Sequence, residues 1–149
     1  MAAGISALFL GSLFAMNTAS MSTIKMAREA AAASQVLQQR VESMRIANWH
    51  QITDADWVKA NLLNAAAPGA GDLKLVTETL TLAPYGSANT ADTLITRTGN
   101  SVVINRRNDN LLTESAVKVT WTVRYTGAPN DRITTRPTVA ILAKGGVAK

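Results

Sequence analysis

Few residues of this 149-residue chain have the types and spacing that catalysis needs. His50 is the only histidine, and it precedes Asp54 and Asp56, which are the kind of acids that orient a general base. A single histidine excludes histidine-based metal sites, and the absence of cysteine excludes thiolate sites and disulfides. A surface or packing position beside Trp49 is the simpler explanation of His50. The sequence predicts no catalytic residue here.

Two other polar stretches offer little more. Asp109 and Asn110 supply oxygen ligands for a hard cation, but they are too few for a calcium site. Gly69 and Gly71 follow no predicted strand and open no predicted helix, so they do not form a phosphate-binding loop. We therefore expect no metal, no cofactor and no enzymatic activity.

Basic residues are the remaining chemical feature. The formal net charge of +5 and the pI near 10.0 allow an anionic partner, although the basic residues are scattered along the chain. The best-defined strand and its neighbour carry the candidates for an anionic-ligand face, which are Lys118, Arg124, Arg132 and Arg136. Such a face would contact DNA phosphates without base preference. DNA is nevertheless the less favoured partner, because the aromatic residues of this strand are predicted to point into the core, away from any stacking platform.

The chain is organised around residues 1–48, which contain no proline and no charged residue before Lys25. They predict one helix of roughly 70 Å, apolar in its first half and amphipathic in its second. The apolar opening, residues 1–16, is shorter than the roughly 20 residues that a membrane-spanning helix needs. We therefore expect Met1 to be an internal methionine of a longer chain.

Two surfaces of this helix are candidates for packing. Small residues recur at every fourth position and form a ridge that lets neighbouring helices approach closely: Ala3, Ala7, Gly11, Ala15, Ala19, Thr23, Ala27 and Ala31. The abundance of alanine is the competing explanation. Further along, one face is predicted to pack on the rest of the protein, with Leu37, Val41 and Met44 at its centre and Ala30 and Ser34 beside them. Lys25–Glu29 and Glu42–Arg45 have the spacing of ion pairs within the helix.

The rest of the chain predicts an α+β protein. Residues 49–71 read as a short helix followed by a flexible Ala/Pro/Gly connection, and residues 72–149 as an antiparallel sheet domain. Strands are predicted at residues 73–82, 93–98, 101–105, 116–125 and 133–143. In the fourth strand, every second residue from Val117 to Tyr125 is apolar, which predicts one buried face. Pro137 predicts that the last strand lies at an edge.

Three features together resemble type IV pilin-like proteins, particularly minor pilins and the pseudopilins of type II secretion. They are the apolar-then-amphipathic first helix, the run QQRVESMRIANWHQI at its end, and the closing hairpin of VKVTWTVRYTG and ITTRPTVAILAKGGV. The resemblance implies a structural subunit that its first helix holds in the bacterial cytoplasmic membrane, with the sheet domain on the periplasmic or extracellular side. It implies that other pilin-like subunits, and membrane lipid before assembly, are the partners. A pilus, a secretion pseudopilus and an uptake machine all fit.

The beginning of the chain departs from the pattern of that family. Prepilins carry a short basic leader, a glycine before the cleavage point and a glutamate soon after it, whereas the first acidic residue here is Glu29. Either the chain starts inside a longer prepilin, which we favour, or Ile5 stands where the glutamate is expected. The alternative function is a membrane-anchored periplasmic domain that binds DNA or another ligand and does not polymerise.

Overall fold

A computed structural model describes residues 2–145 of the chain, with side chains from Ser12 onward. It confirms the α+β class, because one long helix packs on a five-stranded antiparallel sheet. Its helices are α1 (Ala2–Ile46), α2 (Trp49–Thr53) and α3 (Ala55–Val58), and its strands are β1 (Lys74–Pro84), β2 (Thr93–Thr98), β3 (Ser101–Arg106), β4 (Ala116–Gly127) and β5 (Arg132–Ala143). Each strand begins and ends within two residues of its predicted position.

Side-chain caps end the long helix and restart the chain in short helical turns. Asn48 caps α2 by accepting the backbone N–H of Gln51 at 3.0 Å, and the Gln51 side chain accepts the Asn48 N–H at 3.0 Å. Thr53 is a residue type that often caps helices, but its hydroxyl donates to the Trp49 carbonyl of α2 at 2.8 Å. Asp54 therefore caps α3, which continues as a wider helical turn at Lys59–Leu63.

The sheet has the strand order β3-β2-β1-β4-β5, and all its neighbours are antiparallel. β5 lies at one edge, as Pro137 predicts. The inward residues of β4 are buried in the predicted alternation: Val117, Val119, Trp121, Val123 and Tyr125. The sheet therefore has one face against α1 and one face toward solvent.

The second half of α1 packs on β4 and β5 along a narrow stripe. Leu37 and Met44 of the predicted packing face are buried, and Val41 is half-buried. Ser34 was expected on the same face but is exposed, because the buried stripe runs through Ala33 and Val36 on the adjoining side of the helix. The contact face is therefore rotated from its predicted position toward small buried residues such as Ala33. These small side chains let the helix lie close to the sheet.

The connection between α3 and β1 is more closely packed than its composition predicts. Ala67 and Ala70 are buried, and the Ala70 N–H donates to the Ala67 carbonyl at 3.0 Å. A short 3-10 turn at Ala70–Asp72 follows and contacts α1. Ala67 and Ala70 therefore belong to the core, and residues 64–72 are not simply a flexible linker.

Glu29 fixes α1 to the turn between β4 and β5. Its carboxylate is buried and accepts the backbone N–H of Ala128 at 2.9 Å. Gly127 makes this approach possible, because a Cβ atom on it would lie 2.6 Å from Glu29 Oε2. A side chain at position 127 would therefore require the Glu29 carboxylate to shift from its place beside the turn.

We predict that Gly127→Ala lowers the free energy of unfolding by about 1–3 kcal/mol, the usual cost of overpacking. Gly71→Ala is the matched control, since a Cβ at Gly71 meets no atom within 4 Å. Chemical unfolding followed by tryptophan fluorescence measures both. In a Glu29→Ala background the cost of Gly127→Ala should shrink, and an unchanged cost would contradict the proposed contact.

Candidate functional site

The exposed segment of α1 (residues 13–28) is the most unusual surface of the protein. Its side chains are exposed except for half-buried Ser22, and the first buried side chain in the described part of the helix is Glu29. Six large apolar residues of this segment face solvent: Leu13, Phe14, Met16, Met21, Ile24 and Met26. Thr18 and Thr23 turn their hydroxyls back to the helix carbonyls of Phe14 and Ala19. The segment thus exposes methyl and methylene groups while satisfying these two hydroxyls internally.

The small-residue ridge runs along the same segment. Its members Ala15, Ala19, Thr23, Ala27 and Ala31 are all exposed. The side chains of Ala3, Ala7 and Gly11 lie outside the described residues. The described part of the ridge therefore lies open between the large apolar residues, and it makes no contribution to the core of this chain.

A buried ion pair holds the second half of α1 on the sheet. Arg40 donates from Nε to Glu78 Oε2 at 2.8 Å and from Nη2 to Glu78 Oε1 at 2.9 Å. This is the two-point geometry in which guanidinium and carboxylate groups bind best. Glu78 lies in the middle of β1 and has no solvent exposure. Because both groups are desolvated, the pair defines one position of the helix on the sheet.

The same guanidinium group also fixes the connection after α3. Its remaining N–H groups donate to the carbonyl oxygens of Leu62 and Ala65, the latter at 2.8 Å. Its central carbon lies 5.6 Å from the ring centroid of Trp121, which allows a cation–π contact. Arg40 therefore joins four parts of the fold: α1, β1, β4 and the connection.

A second arginine completes the buried cluster. Arg97 of β2 donates from Nη1 to Glu78 Oε1 at 3.3 Å. Within residues 2–145, two buried polar atoms lack a hydrogen-bond partner, Arg97 Nε and Trp121 Nε1. The cluster thus holds two guanidinium charges against one carboxylate, an arrangement that is costly to bury and specific to one geometry.

The predicted anionic-ligand face is not one surface. Residues opposite each other in antiparallel strands point to the same side of a sheet. Lys118 and Arg124 lie opposite Ile141 and Thr135 on the outer face. Arg132 and Arg136 lie opposite Gly127 and Val123, and so are on the side facing α1. The prediction of one face formed by Lys118, Arg124, Arg132 and Arg136 is therefore wrong, and the outer face keeps only two of the four.

The described residues show no obvious catalytic or metal-binding arrangement. His50 is exposed, and it lines a cleft between the end of α1 and the end of β5 together with Trp49 and Met44. In the part of the chain that the structure describes, no three His, Asp or Glu side chains are placed to hold one metal ion. Asp56 instead accepts a hydrogen bond from Arg107 at 2.8 Å and so raises the pKa of that guanidinium above its ordinary value.

Sequence reasoning missed the polar residues that position α1. Glu29 was assigned to an ion pair with Lys25, although it is buried against the β4–β5 turn. Arg40, Glu78 and Arg97 were assigned no role. A signal was present, because Arg40 shares a helical face with Val36 and Met44, as Glu78 shares a strand face with Leu80. A charge on a core face needs a partner of opposite sign.

No family model, no curated protein and no solved structure matches this chain. Within the described residues, no helix combines the length and the apolar character needed to cross a membrane. The candidate site is defined by its own geometry. That geometry is a rigidly docked helix whose preceding segment is apolar and exposed.

We predict that Arg40→Met lowers the free energy of unfolding by about 3–5 kcal/mol, because Glu78 keeps its charge but loses its best partner. The control is Arg45→Met on the same helix, whose exposed ion pair with Glu42 is worth at most about 1 kcal/mol. Chemical unfolding again gives both values. Replacing the whole cluster (R40M/E78L/R97M) should recover most of the loss, and an R40M variant no less stable than R45M would contradict the assignment.

Proposed function

We propose that this chain is a structural subunit of a type IV pilus-like filament or secretion pseudopilus. The observation that supports the proposal is the exposed segment of α1, which presents large apolar side chains on a helix that is continuous with the docked half. In the filament, this segment packs among the first helices of other subunits. The sheet domain lies outside that helical core.

The size of the exposed apolar surface is the main reason for expecting a partner. The segment is roughly 24 Å long and carries six large apolar residues, far more than a monomer usually leaves in water. The second half of α1 packs on β4 and β5, whereas no part of the described residues 2–145 covers the exposed segment. Other helices or lipid must therefore cover it.

Membrane lipid and neighbouring helices would compete for the same side chains. Before assembly, lipid would surround the segment and hold the subunit at the bacterial cytoplasmic membrane. During assembly, the small-residue ridge would let helix backbones approach closely and replace lipid contacts by packing contacts. This exchange needs no catalytic group and no cofactor.

A membrane-anchored domain that binds DNA or another ligand and never polymerises is the alternative. The basic residues that would favour DNA are divided between the two sides of the sheet, as described above, so no single basic face supports that function. The two hypotheses differ in what the ridge does. Only a polymerising subunit needs close contacts between its helix and those of other subunits.

We predict that Phe14→Gln combined with Ile24→Gln abolishes both membrane retention and incorporation into filaments, since both functions need an apolar surface. Ile46→Gln is the matched control, because Ile46 is an exposed apolar residue at the other end of the same helix, outside the exposed segment. Membrane fractionation and immunogold imaging of filaments in the native host measure the two effects. Filaments that incorporate the double variant normally would contradict the proposal.

We predict that Ala15→Leu combined with Ala19→Leu weakens incorporation at least tenfold but leaves membrane retention intact. The added side chains keep the segment apolar while preventing close approach of helix backbones. Ala60→Leu, at an exposed position outside α1, serves as the control. If the filaments form without this chain at all, and the ridge variant behaves as wild type, the anchored-domain alternative is correct.

A further inference from the structure

Four basic side chains surround the point at which α1 leaves the packed domain. Lys25 and Arg28 lie on the helix immediately before Glu29, and they line a cleft together with Asp72. The contact of Glu29 with Ala128 places the β4–β5 turn beside them.

The other two basic residues belong to the strand ends next to that turn. Arg132 begins β5 and lies opposite Gly127, on the side that faces α1. Lys74 begins β1 and lies opposite Thr126, on the outer side of the sheet. Lys25, Arg28, Lys74 and Arg132, here called the basic collar, therefore lie at one end of the domain and on both of its sides.

Exposed acidic residues at this end do not balance the collar. All four basic side chains are exposed. The exposed carboxylates beside them are Asp72 and Asp131, and the closest ion pair of Asp131 is a 3.9 Å approach to Lys74 Nζ. Glu29 is turned inward to the backbone. Within the described residues, Lys25, Arg28 and Arg132 form no ion pair, so their charges are available to a partner.

The opposite end of the domain has a different charge arrangement. Three of its basic residues are joined to carboxylates at 2.8 to 2.9 Å, in the pairs Arg45–Glu42, Arg106–Asp92 and Arg107–Asp56. Asp109 and Glu114 lie near the same end. These three charges are thus neutralised locally, whereas Lys25, Arg28 and Arg132 of the collar are not; exposed Lys118 and Lys144 are basic residues of the opposite end that no carboxylate of the described residues pairs.

We propose that the basic collar binds the anionic headgroups of a lipid bilayer while the exposed segment of α1 is in its apolar layer. The inference rests on the proposed function, in which lipid surrounds that segment before assembly. An apolar helix that is followed directly by basic side chains matches the two layers of a membrane surface, hydrocarbon and then phosphate. Contacts on both sides of the domain hold it upright on the membrane, with its far end directed away.

Lipid fits this surface better than nucleic acid does. Residues 13–24 carry no charged side chain and directly adjoin the collar. A DNA duplex would contact the basic residues but would leave the neighbouring apolar side chains in water, whereas a bilayer accommodates both. DNA binding by the collar is therefore the competing outcome of the test.

The test is flotation of the full chain with two kinds of vesicle, phosphatidylcholine alone and phosphatidylcholine with phosphatidylglycerol in equal parts. The wild type should prefer the anionic vesicles, and the preference should fall as salt is raised. K25Q/R28Q and K74Q/R132Q should each reduce the preference roughly 10- to 30-fold, as expected for two charges near an anionic surface. Binding to neutral vesicles should stay unchanged.

K118Q/K144Q is the control, because it removes the same charge from exposed residues outside the collar. An equal loss with this control would show an effect of net charge alone and would overturn the proposal. So would a wild type without anionic preference, or collar variants that lose binding to duplex DNA but keep the vesicle preference. If the chain enters both kinds of vesicle equally, only the collar proposal fails. The proposed filament role is tested separately, by the incorporation of the Phe14 and Ile24 variants.

Discussion

A guanidinium group buried between a helix and a sheet is the constraint on which the rest of this structure depends. Arg40 can satisfy its donors only when Glu78 of β1 and the carbonyls of Leu62 and Ala65 are all in place. A sliding or rotation of α1 by one residue would separate the two charges within the core. Buried pairs of this kind add little net stability compared with apolar residues of the same shape. We infer that the cluster specifies where the helix lies rather than how tightly it packs.

Glu29 adds a second fixed point, eleven residues earlier on the same helix and so about 16 Å away. Two polar anchors on one rigid helix determine its rotation as well as its position. The apolar contacts between them, such as Ala33 and Val36 against the sheet, could be satisfied by several arrangements of a smooth helix surface. With both anchors made, the exposed segment leaves the domain in a single direction. A subunit that must pack beside others in a repeating array would need such a fixed direction.

The local sequence pattern predicted most of the helices and strands. The features that it did not predict depend on how those elements pair with one another. The alternation from Val117 to Tyr125 was sufficient to predict β4, and Pro137 was sufficient to predict that the last strand lies at an edge. Both signals depend on one strand alone. The face of the sheet on which Arg132 and Arg136 lie depends on the register across the β4–β5 turn. A shift of one residue in that register would move every side chain to the other face. The central position of β1, between β2 and β4, likewise has no local signal.

The candidate site likewise has a part that the sequence predicts and a part that depends on pairing between elements. The apolar character of residues 13–24 can be read directly from the sequence, whereas the point at which α1 becomes exposed depends on Glu29 meeting a turn that lies 99 residues later. The buried cluster was predictable in principle. Arg40, Glu78 and Arg97 each interrupt an apolar face, and the three charges can be neutralised in part only by one another. The partner of each, however, could not be assigned without the strand order.

In the proposed filament, the docked half of α1 would also determine how the ridge is presented to other subunits. Residues 18 positions apart lie on the same line of a helix, because 18 residues make five turns. Ala15 and Ala19 are therefore in line with buried Ala33 and Leu37, on the side of the sheet domain, whereas Ala31 is in line with exposed Leu13 on the opposite side. A single straight neighbour cannot contact the whole ridge. In the proposed filament, its two ends would therefore contact different helices on opposite sides of the subunit, as expected for a helical array with head-to-tail contacts.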